Sequence, residues 1–314
     1  MREIKQIAVF GAGKMGSGIA QLFATGKYPV YLWAFDEAEK ERALKTMKEN
    51  LQLLAENDIL SPEEIPDILN RIKITTDFEE VAFSADLAVE CILENMELKQ
   101  EFFKNLDSIV PEDVILCTNT SAMSITEIAS KSEHKERIIG THFWNPPYLI
   151  PLVEVVKTVH VAEGIAEIVC DTLRGIGKKP IVAKKDVPGF IANRMQNALG
   201  REALSIVQNG LADPKDVDDA VKYGFGMRLG SIGPIEQIDA IGIDLCINIG
   251  DYLFQDLEDS KEALPILKEK ASRKELGFKT GGVGIQTWTQ EQMKEYNERT
   301  IRDLIKIGKA LQMF

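Results

Sequence analysis

The feature that most narrows the fold is a β-type run, Ile4 to Phe10, leading directly into Gly11-Ala12-Gly13-Lys14-Met15-Gly16 and then an amphipathic segment, Ser17 to Thr25. A G-x-G-x-x-G alone is weak, but a strand before it and a helix after it give the context of a dinucleotide-binding turn. Gly11 allows the tight turn, Gly13 lets the backbone approach a pyrophosphate, and Gly16 lets helix pack on strand. The helix N-terminus then offers unpaired N–H groups and its positive dipole end to the phosphates. Gly11, Gly13, Met15 and Gly16 are therefore candidate cofactor residues, against the alternative of a purely structural glycine turn. The next β-type run, Pro29 to Phe35, ends at Asp36, an acid about 20 residues beyond the last glycine, where it can accept both ribose hydroxyls and repel a 2′-phosphate. The residues after it, Glu37-Ala38-Glu39, place no arginine beside it, so NAD is expected rather than NADP.

Asp36 to Arg71 reads as helical and charged, a helical insertion over about 37–71 whose second helix starts at Ser61-Pro62-Glu63-Glu64. Its lysines, Lys40, Lys45 and Lys48, suit either a solvated face or a phosphorylated substrate. Strand and helix patterns then alternate: Ile72–Thr76, Ala85–Cys91, a helix over Met96–Leu106, Val114–Cys117, a short helix from Ser124, and Arg137–His142. That order predicts an α/β, Rossmann-type, doubly wound parallel sheet. Such sheets bind ligands beyond the carboxyl ends of their strands. The polar clusters fall there: Glu94-Asn95, Asn119-Thr120-Ser121 and His142.

His142 closes one apolar run, Asn145-Pro146-Pro147 makes a turn, and Leu152–Val156 is a second β-rich run with Glu154 at its centre. A carboxylate inside LVEVV needs a partner, because burying it unpaired costs several kcal/mol or forces protonation. A chain that turns back at Asn-Pro-Pro brings Glu154 against His142, where it would orient the imidazole and raise its basicity. On these residues alone, a surface histidine and an edge-strand glutamate that never meet stand equally open. A helix over Glu163–Ile176 and a run Pro180–Ala183 complete the sheet, and Lys184 to Gly189 reads as the boundary between a 1–185 NAD-binding domain and an all-helical 186–314 domain.

Past Gly189 the β signal fades. Phe190–Asn209, Asp213–Lys222 and Ile235–Leu257 read as helices, with turn-rich stretches at Gly224–Met227 and Gly230–Pro234, and a charged helix spans Thr289–Leu311. The apolar density of this half suggests a homodimer. Asn193 sits just past the boundary, as a helix cap or a substrate contact. The formal charge of −12 argues against nucleic-acid and membrane-surface partners. No uncharged run is long enough to span a bilayer, and no signal-peptide layout is present, so a cytoplasmic location is expected. Cys91, Cys117, Cys170 and Cys246 lack zinc-ligand and redox-pair spacing, so buried reduced thiols are expected and no metal site.

Taken together, GAGKMGSGIA, Asp36, VECILENMELKQEFF, TNTSAMSI, THFWNP, LVEVV, KDVPGFIANR and GPIEQIDAIGID resemble, in order, the L-3-hydroxyacyl-CoA dehydrogenase family, including 3-hydroxybutyryl-CoA dehydrogenases of fatty acid metabolism. The resemblance implies His142 and Glu154 as a catalytic dyad, and Ser121 and Asn193 near the substrate's 3-oxygen. It also implies Glu94, Lys99, Asn119 and Asn145 around the nicotinamide half of NAD. Three departures bear on the substrate. HFWNPPYLIPLVEVV is more similar to relatives that oxidise free hydroxy acids, of the carnitine, gulonate and pyridine-carboxylate type. The C-terminal motif appears as Lys279 to Trp288 without its tyrosines, and the tail helix runs beyond short acyl-CoA members. A short-chain 3-hydroxyacyl-CoA is the expected substrate, a free hydroxy acid the rival, and a redox-inactive NAD-binding structural protein, like the lens crystallin relatives, the third reading. For Trp144 the sequence suggests packing beside the proline turn, or a cation–π surface.

Overall fold

Short apolar runs rich in Val, Ile and Leu, each followed by an amphipathic helix, leave the first half of the chain one way to cover both faces of its strands. The structure, a computed structural model, describes residues 3–314; the first two positions of the expected 1–185 domain lie outside the described residues. The strands are β1 Ile7–Phe10, β2 Val30–Trp33, β3 Ile72–Thr75, β4 Leu87–Glu90, β5 Ile115–Thr118, β6 Ile138–Phe143, β7 Leu152–Val156 and β8 Lys179–Ala183. They form one sheet in the order β3-β2-β1-β4-β5-β6-β7-β8. The chain winds outward from β1 in one direction, returns, and winds out in the other. The sheet is parallel except between β6 and β7, which pair antiparallel. The expected doubly wound sheet is thus parallel apart from this one pair, where the proline turn after β6 reverses the chain.

Helices α1 Lys14–Thr25, α2 Glu37–Glu56, α3 Ile65–Asn70, α4 Phe78–Ser84, α5 Met96–Ile109, α6 Ile125–Ile128 and α7 Ile165–Gly175 cover the sheet. Alternate strand residues go to opposite layers, as a pleated strand requires. Ile7, Val9, Leu32, Val89, Val153 and Val155 pack in one apolar cluster with residues of α1, α2 and α7. Ala8, Phe10, Ala88, Leu116, Ile138 and Val156 pack in the other with residues of α4, α5 and α6. The 37–71 insertion is α2 and α3, the second entered through a 3-10 turn at Pro62–Glu64. Helix α4, which the sequence does not announce, is started by Asp77, whose carboxylate accepts from the Glu80 N–H at 3.0 Å.

The chain divides into two compact units between Arg194 and Met195. The second unit continues α8 Ala192–Gln208 and contains α9 Pro214–Tyr223, α10 Gly226–Leu229, α11 Pro234–Ile241, α12 Ile243–Leu253, α13 Pro265–Ser272 and α14 Gln290–Ala310. Two details differ from expectation. The turn-rich Gly224–Met227 stretch runs into the short helix α10. The Ile235–Leu257 helix is two, broken at Gly242, whose φ of +96° no continuing helix tolerates. Cys117 and Cys170 are buried free thiols, whereas Cys91 and Cys246 are partly exposed, because Cys91 ends at a cleft and Cys246 lies on a helix with few buried positions. Among the described residues no helix is long and apolar enough to cross a membrane.

Candidate active site

At the end of β1 the glycine turn is forced by contact. Gly11 has φ +99°, and a Cβ there would lie 2.7 Å from the Cys91 carbonyl oxygen on β4's continuation. A Cβ on Gly16 would fall 1.8 Å from the Gly11 carbonyl oxygen, so only glycine lets α1 approach the turn. Gly13 faces open space, leaving its backbone accessible at the N-terminus of α1. A cleft of ≈ 680 Å³ begins here, lined by Gly11, Gly13 and Asp36, with Trp33, Phe35, Phe78 and Phe102 as aromatic walls. Asp36 holds the start of α2 by accepting the Glu39 N–H at 2.6 Å, and Glu39 accepts the Phe35 N–H at 2.7 Å in return. Arg42, farther along α2 than Glu37-Ala38-Glu39, lines the same cleft. Met15 packs on the core beneath the turn. Open glycine backbone, an acid at the second strand's end and an apolar slot fit an NAD adenosine and its pyrophosphate.

His142 and Glu154 are direct cross-strand partners in the β6–β7 register, so their side chains leave the same face of the sheet. His142 Nδ1 lies 2.8 Å from Glu154 Oε2. Glu154 is fully buried and accepts three further hydrogen bonds: from Trp144 Nε1 to Oε2 at 3.3 Å, and from the Ile191 and Ala192 N–H groups to Oε1 at 2.9 and 3.0 Å. Burial pushes this carboxyl upward, but the hydrogen bonds from His142, Ala192 and Ile191 outweigh it and hold Glu154 below the usual glutamate value. An ionised carboxylate on Nδ1 keeps the proton on that nitrogen and leaves Nε2 to accept or donate one. The imidazole ring lies 5.3 Å from Trp144 and 5.7 Å from Phe190, centroid to centroid.

The residues named beside this pair form two further groups. Lys99 is fully buried, 2.6 Å from Glu90 and 3.4 Å from Glu94. Glu90, also buried, takes the Thr118 hydroxyl at 2.6 Å and the Ile92 N–H at 2.7 Å. Burial pushes its carboxyl upward, against the Lys99 ammonium that holds its charge. Glu94 accepts the Ser121 N–H at 3.1 Å. Asn119 Oδ1 accepts the Phe143 N–H at 2.9 Å, tying the ends of β5 and β6. Asn193 Nδ2 donates to the Ser121 carbonyl at 2.8 Å. Because Ile191 and Ala192 are held by Glu154, Ser121 and Asn193 are tethered to the His142–Glu154 pair through adjacent residues. Asn145 is exposed and opens a turn whose Asn145–Pro146 bond is cis. The buried Lys178 ammonium steadies that turn by donating to the carbonyls of Pro147, at 2.5 Å, and Ile150, at 2.9 Å.

A sequence profile described as the 3-hydroxyacyl-CoA dehydrogenase NAD-binding domain matches residues 6–187, and the profile of that enzyme's C-terminal domain matches residues 189–287. The chain belongs to the 3-hydroxyacyl-CoA dehydrogenase family. It is thus an NAD-dependent oxidoreductase acting on a CH–OH group. It is 39% identical to a probable 3-hydroxybutyryl-CoA dehydrogenase of Bacillus subtilis over 280 residues, covering 89% of this chain and 96% of the relative. It is 32% identical to 5-formyl-3-hydroxy-2-methylpyridine 4-carboxylate 5-dehydrogenase of Mesorhizobium japonicum over 309 residues, covering 98% and 99%. A crystal structure of a 5-dehydrogenase for that pyridine carboxylic acid, described as an NAD+-dependent dismutase, superposes with a TM-score of 0.91 at 32% identity, covering 99% of each chain.

In this family member, Glu90 lies outside the residues singled out from the sequence, and Trp144, read there as packing or a cation–π surface, gives its indole N–H to Glu154. Glu90 carries the same signal as Glu154, an acid at the end of an apolar run, LAVE. No sequence signal says where a tryptophan beside a turn sends its N–H.

Proposed function

We propose that the protein oxidises the 3-hydroxyl of a short-chain 3-hydroxyacyl-CoA to the 3-keto compound with NAD, and runs the reverse. The observation that carries the reaction is the buried, ionised Glu154 on Nδ1 of His142. In oxidation, His142 Nε2 takes the proton of the 3-hydroxyl, and Glu154 stabilises the imidazolium that results. Ser121 and Asn193, held together at the edge of the pair, hydrogen-bond the substrate oxygen as it becomes a carbonyl. NAD, when bound, supplies the hydride acceptor. Gly11, Gly13, Gly16 and Asp36 hold its adenosine half, while Glu94, Lys99, Asn119 and Asn145 lie towards its nicotinamide half. In reduction His142 begins protonated and returns the proton.

A second reading, a small free carboxylate such as a pyridine carboxylate or hydroxy acid, is favoured by one observation. The pyridine-carboxylate relative aligns over the whole chain, tail helix included. The insertion adds weight to it: Lys40 and Lys45 pair with Glu37 and Glu49 of their own helix, at 3.2 and 3.8 Å, as a solvated face does. NADH oxidation with acetoacetyl-CoA, beside free 3-keto acids and a pyridine aldehyde carboxylate, separates the two: turnover only with the thioester supports the first reading, and turnover only with a free acid replaces it. His142→Gln is expected to lower turnover by ~10²-fold or more while NADH binding stays intact. Near-normal turnover in that variant rejects the assignment.

We also infer a homodimer. In the second unit Met227, Ile235, Ile243, Ile247 and Phe254 are all more than half exposed, a density of large apolar side chains that calls for a cover. A second copy of the same helices supplies an apolar surface of matching character. A monomeric mass by light scattering would sink this.

A further inference from the structure

Glu154 has two oxygens and four donors. The imidazole and the two N–H groups at the start of α8 suffice to keep it ionised and aimed. The fourth donor, the Trp144 indole, reaches Oε2 at 3.3 Å, the oxygen already facing His142 Nδ1 at 2.8 Å. The same indole ring stands 5.3 Å from the imidazole at an interplanar angle of 52°. Trp144 therefore touches both members of the pair from the first position after β6, and Phe190 also packs near the imidazole, 5.7 Å away.

We propose that Trp144 is a positioning residue whose N–H fixes Glu154 Oε2 beneath the imidazole and makes His142 a weaker base than His142 and Glu154 would form by themselves. This role rests on the reading of His142 and Glu154 as the acid–base pair. An N–H aimed at Oε2 places positive charge density beside the oxygen that stabilises the imidazolium, and so shares out the carboxylate's field. The charged group facing His142 from β7 is Glu154. Asn119 at the end of β5 is neutral, α8 presents its backbone N–H groups, and Glu90 and Lys99, on β4 and α5, are paired to each other. Of Glu154's four donors, Trp144 is the one that shares Oε2 with His142, while the Ile191 and Ala192 N–H groups hold Oε1.

The test is the titration of His142 in the full-length enzyme with NAD+ bound. The chain has three histidines, so ¹³C-labelled imidazoles give three signals, and His142→Gln assigns the relevant one. Trp144→Phe keeps a ring and removes the N–H. The His142 midpoint is expected to rise by about half a pH unit in Trp144→Phe. In the unaltered protein the indole N–H of Trp144, one of three tryptophans, is expected to shift in step with His142. An unmoved or lowered midpoint overturns the proposal; a packing role alone would reduce the melting temperature and leave the midpoint in place. If Trp144→Phe does not fold, the indole signal decides, and its failure to follow His142 overturns the proposal. Normal turnover of His142→Gln would instead reject the acid–base reading itself.

Discussion

Replacing Glu154 by glutamine keeps the size and removes one acceptor oxygen where four donors converge. If the amide turns its oxygen to the Ile191 and Ala192 N–H groups, its NH₂ faces His142 Nδ1 and the Trp144 indole. Nδ1 must then shed its proton and accept, so Nε2 carries the hydrogen and cannot take one from a hydroxyl. If the amide turns the other way, two buried backbone donors face a third donor, at about 1–3 kcal/mol each. Both orientations lose the charge that supports the imidazolium, a charge-assisted hydrogen bond of about 1.5–3 kcal/mol. Tautomer and charge together predict a turnover loss of about 10²–10⁴-fold and a stability loss of about 2 kcal/mol. The assay follows NADH absorbance for Glu154→Gln, His142→Gln and the double variant, with the unfolding midpoint of each in urea. Groups that act as a unit are not additive, so the double variant should be no slower than the worse single one. Turnover of Glu154→Gln within about threefold of the unaltered enzyme, or losses that multiply in the double variant, would refute the reasoning.

Lys99→Met strands Glu90 in a fully buried position with its cation removed, which should cost about 3–5 kcal/mol in urea unfolding at neutral pH and less where the acid can protonate. An unchanged midpoint would mean that Thr118 and Ile92 suffice to hold the charge. For acid stability the sign follows from two carboxylates. Burial would raise Asp107, but the His134 and Glu133 N–H groups and the Arg137 guanidinium hold it below its ordinary value, and Glu154 is likewise lowered. Their contribution is complete above the unfolded-state carboxylate range, about pH 4, and is lost as pH falls through the folded values beneath it. Asp107→Asn should flatten that part of a stability–pH curve, and an identical slope below about pH 4 would contradict the assignment.

Much of this was legible in the residues. The glycine turn could be read because strand, spacing and helix agree, and the contacts of Gly11 and Gly16 account for why glycine is there. The His142–Glu154 contact could be read because an acid inside LVEVV lacked an explanation and Asn-Pro-Pro supplied a reversal. What escaped depends on long-range return of the chain. Ile191 and Ala192 reach Glu154 only after α7 and β8 have been laid down, and a backbone N–H leaves no mark in a sequence. Helix α4 escaped because FEEVAFS is too short to declare a period. The antiparallel β6–β7 pair was implicit in the proline turn, which reverses the chain between the two runs.

That antiparallel pair bears on how the chain folds. His142 and Glu154 are 12 residues apart on neighbouring strands of one reversal, so their meeting requires closing only a short loop. The proposed acid–base pair is written into a hairpin, the most local unit a sheet possesses, and a register slip by one residue would turn Glu154 to the opposite layer.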